Sequence, residues 1–212
     1  MSIYVQNFRG IFLMARPAKF DRADAVFRAM QAIWSNGFER CSVKSLSELL
    51  GMTRSSFYNA FGSRESLFRE AIAPYASQAP GAILNDPVKS PALPVIIRTV
   101  REICRSTAAD PEGRGCMIQN TIIELCPDDH ADGLGAELSN MVSGSIARIE
   151  ELLHVAKANG EISADHDIHA TALAVQNLMM GLNVLCKVIR SEEELWLLAR
   201  TTLQGLGIVK PQ

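Results

Sequence analysis

Apolar residues in this chain recur every three to four positions, and no stretch alternates apolar with polar as a half-buried strand does, so the pattern predicts an all-α fold. Ala25, Val26, Ala29, Met30, Ile33 and Trp34 form one face of a first helix that follows Asp21 and stops at Asn36-Gly37. A second, short helix runs from a capping Ser42 to Leu50, with Val43, Leu46, Leu49 and Leu50 on its apolar side, and Gly51 breaks it. Thr53 caps a third that ends near Phe61. Ser63 opens a fourth, with Glu65 in its first turn, which heads toward Ala73 until Pro74 interrupts it. The stretch "SQAPGAILNDPVKSPALP" has the turn chemistry of a connecting loop. Further helices are expected near 92–108, 114–125, 132–158, 167–190 and 192–206, separated by "DPEGRG", "CPDDHADG" and "NGEISADHD".

At 212 residues and 48% hydrophobic, the chain is long enough for a sizeable core or for a small domain joined to a larger one. The expected division is a disordered leader or N-terminal arm over 1–20, a small unit over 21–74 and a larger helical unit over 75–212. Met14, followed by "ARPAKFDRADAVF", offers a second start. No apolar run approaches the roughly 18 residues that span a bilayer, so no membrane partner is expected. The five cysteines, at 41, 104, 116, 126 and 186, are odd in number and lack a C-x-x-C pair. That argues against a disulfide framework or a zinc knuckle and fits reduced thiols in a cytoplasm.

Charge is unevenly spread. Residues 1–74 hold ten Lys/Arg against six Asp/Glu, a balance of +4, whereas 75–212 hold eleven against seventeen, a balance of −6. Polyanions respond to local potential more than to the whole-chain total of −2. The basic N-terminal third is also the part with the short helices.

Two short helices turning at Gly51 and packed on a longer first helix make a helix-turn-helix. At about 100° per residue, Phe57, Ala60 and Phe61 share an inner arc, while Ser55, Ser56, Tyr58 and Asn59 face outward. That outer face is small, polar and able to approach a nucleic-acid groove. Ser42 and Thr53 stand at helix starts, where unpaired amides favour phosphate oxygens. Lys44 and Arg54 can reach phosphate or guanine edges, Asn59 can pair with adenine, and Tyr58 can meet phosphate or a thymine methyl. Arg64, in the first turn of the fourth helix, is a further phosphate candidate.

Residues 21–73 resemble the N-terminal domain of the TetR family of bacterial transcriptional regulators. The resemblance lies in "AIWSNGFERCSVKSLSELLGMTRSSFYNAFGSRESLFREAI", through Gly37-Phe38, Ser42-Val43-Lys44, Leu46, Leu50-Gly51-Met52-Thr53, Phe57-Tyr58, Phe61, Ser63-Arg64-Glu65 and Leu67. "GRGCMIQNTIIEL" looks like a segment of one branch of that family, and the last two long helices look like its dimerisation region. The resemblance implies a homodimer, joined through helices near 167–206, that holds a palindromic DNA operator and is released by a small-molecule effector bound in the C-terminal half. Ala60 departs from the pattern, standing where many members have a phosphate-touching His, which shifts that load to Asn59 or Arg64.

The residues themselves agree with dimerisation: Ala172, Leu173, Val175, Leu178, Met179, Leu182, Leu185, Leu195, Leu198, Ala199 and Leu203 are more apolar than one buried stripe requires. For the effector, Cys104, Cys116, Met117, Met141, Met179 and Met180 can line an adaptable apolar cavity, although each also suits ordinary core packing. Few charges fall among these faces, which points to a largely apolar ligand. Cys116, beside Arg114, is the candidate redox or electrophile sensor, with Cys104 or Cys126 to resolve it, against the plainer role of a small buried residue. His166 and His169 in "ADHDIH" are better explained by a capped helix start than by a metal, and no enzyme motif or cofactor fingerprint is present. Three readings stay open: an effector-released repressor, an activator or redox-driven regulator of the same fold, and a helical ligand-binding module without specific DNA recognition.

Overall fold

Each of the first four helices begins on a side-chain cap, and the caps fix their starts. In the computed structural model, which describes residues 21–87, 90–125 and 133–210, Asp21 accepts from the amides of Ala23 and Asp24 to open α1 (Arg22–Asn36). Ser42 caps α2 (Val43–Leu50) through Ser45 N, Thr53 caps α3 (Arg54–Phe61) through Ser56 N, and Ser63 caps α4 (Arg64–Gln78) through Ser66 N. Between α2 and α3, Gly51 adopts the left-handed conformation, φ +67°, that a side chain would resist. The leader and Cys126 lie outside the described residues.

A short 3-10 helix, Pro80–Asn85, follows α4. Then come α5 (Leu93–Ala109), α6 (Met117–Leu125), α7 (Leu134–Ala158), α8 (Ile168–Leu185) and α9 (Glu192–Gly205). No strand occurs among the described residues. The fold is all-α, as the periodicity predicts.

Three boundaries differ from the sequence reading. α4 does not stop before Pro74 but continues to Gln78. Proline forfeits one backbone hydrogen bond there, yet Phe68, Ala71 and Tyr75 are buried on the same helix and hold the following turn in place. α6 starts at Met117 and not at 114, because Gly113 and Gly115 both take positive φ and delay the helix. α8 ends at Leu185 in place of 190.

The described residues form two apolar cores. The first gathers Ile33, Phe38, Leu46, Phe57, Phe61, Leu67 and Phe68 from α1–α4 and takes in Met117, Leu134 and Leu138 from beyond the connecting segment. The second joins α5, α7, α8 and α9 through Ile96, Val100, Ile149, Leu152, Val175, Leu182, Leu195 and Leu203. Burial of one such side chain stabilises by roughly 1.5–3 kcal/mol, so removing Phe57 would release α3 from its support. α8 is long and apolar enough by composition to cross a membrane, but it places Ala172, Val175, Leu178, Met179 and Leu182 in this core.

Candidate functional site

The outer side of α3 is free of commitments to the other described residues. Phe57 and Phe61 are buried, whereas Arg54, Ser55, Ser56, Tyr58 and Asn59 are exposed, Tyr58 by 51%. Tyr58 stands edge-on to Phe57, with ring centroids 6.0 Å apart, and so is propped outward by the core below. Lys44 and Arg54 have no ion pair or hydrogen bond to any described residue and keep their full charge for a partner. Ser42 and Thr53 spend their hydroxyl lone pairs on their own helix starts. These caps leave the remaining first-turn amides of α2 and α3 as donors.

Arg64 is placed differently from the sequence expectation. Its guanidinium lies 4.0 Å from the centre of the Phe38 ring, donates to Phe38 O at 3.2 Å and pairs with Glu39 at 2.9 Å. These contacts brace the α1–α2 connection against α4, so the side chain is not poised for phosphate. A second brace was not legible beforehand. Arg22 donates to the Ala60 carbonyl at 2.6 Å and pairs with Glu70, and Arg28 donates to the Leu49 carbonyl. α1 thereby holds the C-terminal ends of both α2 and α3.

Behind this module lies a cavity of about 650 Å³. Met30, Gln31 and Trp34 of α1 form one wall, Tyr75 and the 3-10 helix another, and residues of α5–α8 the remainder. Of the residues expected there, Cys116, Met141, Met179 and Met180 line it. Cys104 and Met117 do not. Cys104 points into the second core, where burial pushes its thiol up to about 11, and Met117 packs into the first core. Cys104 is therefore a poor thiolate partner for Cys116 at neutral pH. Pattern reading missed Gln119 and Gln176, although an uncharged amide inside "CMIQNTIIEL" and "ALAVQNLMM" was the available signal.

The cavity and the module share one junction. Trp34 donates from Nε1 to Gly115 O at 2.8 Å, and Arg114 lies over the same indole while donating to Gln31 Oε1 at 2.8 Å. Tyr75 accepts from Met117 N at 2.9 Å, and burial drives its phenol pKa upward, so it stays protonated. Arg69 of α4 also pairs with Glu137 of α7, and Glu39 N donates to Glu124 of α6. Leu173, Val184, Val188, Leu197 and Leu198 of α8, α9 and the turn between them are exposed. The other apolar residues named for dimerisation are buried or half-buried within the chain. His166 bonds Thr171 and His169 bonds Glu150, with no metal-type cluster among the described residues.

Residues 28–71 match the model of bacterial regulatory proteins of the tetR family, and residues 92–202 match the Tetracyclin repressor-like C-terminal domain. The chain is 27% identical to the HTH-type transcriptional regulator YezE of Bacillus subtilis, over 86% of this chain and 94% of that protein. It is 25% identical to the HTH-type transcriptional repressor ComR of Escherichia coli, over 89% and 90%. A cysteine mutant of the TetR family transcriptional regulator CifR, solved with 26-base-pair operator DNA, superposes with a TM-score of 0.76. It is 30% identical, and the match covers 89% of this chain and 98% of that one.

Proposed function

Because the chain belongs to the TetR family of bacterial transcriptional regulators and is a DNA-binding regulator, not an enzyme, we propose that it acts in the cytoplasm as a homodimeric repressor released from a palindromic operator by a small, largely apolar effector. Its residues 21–74 serve as the reading head, with Lys44, Arg54, Ser55, Ser56, Tyr58 and Asn59 against DNA and the starts of α2 and α3 at phosphates. Residues 75–212 hold the effector and the partner.

The observation that carries this reading is the shared wall. Met30, Gln31 and Trp34 belong to α1, which also grips the ends of α2 and α3 through Arg22 and Arg28. A molecule filling the cavity presses on the helix that carries the reading head, so its binding and operator binding are linked. The relatives named as repressors, ComR among them, support the direction of control. The exposed stripe of Leu173, Val184, Val188, Leu197 and Leu198 supplies the twofold contact.

Titration of the protein's own upstream DNA tests the reading. Two chains should bind each operator, and Leu197→Asp combined with Val184→Asp should abolish tight binding while leaving the helical circular dichroism intact. Monomeric binding at undiminished affinity would contradict it.

A further inference from the structure

Resting on that functional reading, the polar groups of the cavity narrow the effector's chemistry. Among the described residues, Asp110 and Arg148 are the charged ones lining it, and both are already engaged. Asp110 is bound to Arg114, through the backbone amide at 2.7 Å and the guanidinium at 3.1 Å. Arg148 donates to the carbonyls of Leu84 and Asp86, each at 2.7 Å, and pairs with Glu151. A carboxylate or ammonium entering here would lose its hydration without gaining a free counter-ion, which is unfavourable.

The neutral groups are only half used. Gln119 donates from Nε2 to Met180 O at 3.1 Å; a carbonyl can only accept, so the amide's orientation is fixed and Oε1 is left over. Gln176 is held by Ser145 Oγ at 2.8 Å through one end of its amide, which leaves the other end unspent. Asn183 donates to Met179 O at 2.9 Å and keeps Oδ1. Gln119 and Gln176 are only 6% and 8% exposed, yet no buried side-chain nitrogen or oxygen among the described residues lacks a partner. The unspent atoms of these two residues therefore open onto the cavity they line.

We propose that the cavity takes an uncharged molecule with an apolar body and a polar head of the carboxamide type, one that donates a hydrogen bond to Gln119 Oε1 and pairs with the unspent end of the Gln176 amide. The apolar body lies against Met141, Met179 and Trp34. Leaving either glutamine unpaired against a ligand lacking the matching group weakens binding, and this sets the specificity.

Three probes of equal chain length separate the cases: octanamide, octanoate and octylammonium, titrated calorimetrically into the full-length protein at neutral pH. Octanamide is expected to bind at least about tenfold more tightly than either ion. Gln176→Met, close in volume and without an amide, should weaken octanamide binding several-fold and leave the weak binding of the ions unchanged, while the melting curve stays cooperative. No octanamide binding, equal binding by either ion, or full octanamide affinity in the Met variant overturns the proposal. Operator affinity is measured on the same samples. Octanamide that binds without weakening operator binding supports the ligand class and contradicts effector control, so the two failures are distinguishable.

Discussion

The guanidinium of Arg114 lies 3.8 Å from the centre of the Trp34 indole, and that stacked pair joins the α5–α6 connection to α1. The same guanidinium holds Asp110 and Gln31, and both side chains of the Arg114–Asp110 pair are largely buried. Arg114→Met keeps the stem but leaves Asp110 without its partner. It should destabilise the protein by about 2–3 kcal/mol in urea unfolding, the scale of hydrogen bonds to a charged group. Arg114→Lys should recover only part of this, since an ammonium lacks the planar fork that stacks and donates at once.

Acid sensitivity follows from the same pair. Burial resists ionisation of Asp110, but the side-chain and backbone hydrogen bonds from Arg114, with its charge, outweigh it and hold the carboxyl below its ordinary value. A depressed folded pKa contributes stability that is present above the unfolded value, near about 3.9, and is lost as pH falls through the folded one. Asp110→Asn should therefore be less stable than wild type at neutral pH, with the gap narrowing below about pH 4. Equal differences at pH 7 and pH 3 would contradict this assignment.

Gly115 is fixed by both conformation and space. Its φ is +69°, and a Cβ there would lie inside van der Waals contact of the Asn183 backbone carbonyl, which cannot swing aside as a side chain does. Gly115→Ala should cost about 2 kcal/mol or more, combining left-handed strain with the clash. Because Gly115 O accepts from Trp34 Nε1, the variant's tryptophan emission should shift as well.

Much of this architecture was legible because it is local. Caps at Asp21, Ser42, Thr53 and Ser63 and the glycine at 51 act within a few residues, so the starts of the first four helices could be traced from spacing alone. What escaped notice depends on distant partners. Arg64 has the sequence context of a phosphate ligand, but Phe38 and Glu39 claim it from the other side of the module. Pro74 breaks an isolated helix, yet burial of Tyr75 carries α4 past it. Met117 and Cys104 looked like cavity residues because composition cannot say which side of a helix faces the void.

That contrast separates two arginines. Arg64→Ala should lower unfolding stability by about 1–2 kcal/mol through loss of its partly buried hydrogen bonds and ring contact, while the salt dependence of operator binding keeps its slope. A slope reduced by about one, as for a phosphate ligand, would return Arg64 to the DNA face.

Operator affinity measured against salt concentration, for wild type, Arg54→Ala and Tyr58→Ala on the protein's own upstream DNA, tests the central claim most directly. Each substitution should weaken binding by about 1–3 kcal/mol without altering stability, and Arg54→Ala should lower the slope of log affinity against log salt by about one. Full operator affinity in both variants would contradict the assignment of the outer face of α3 as the DNA-reading surface.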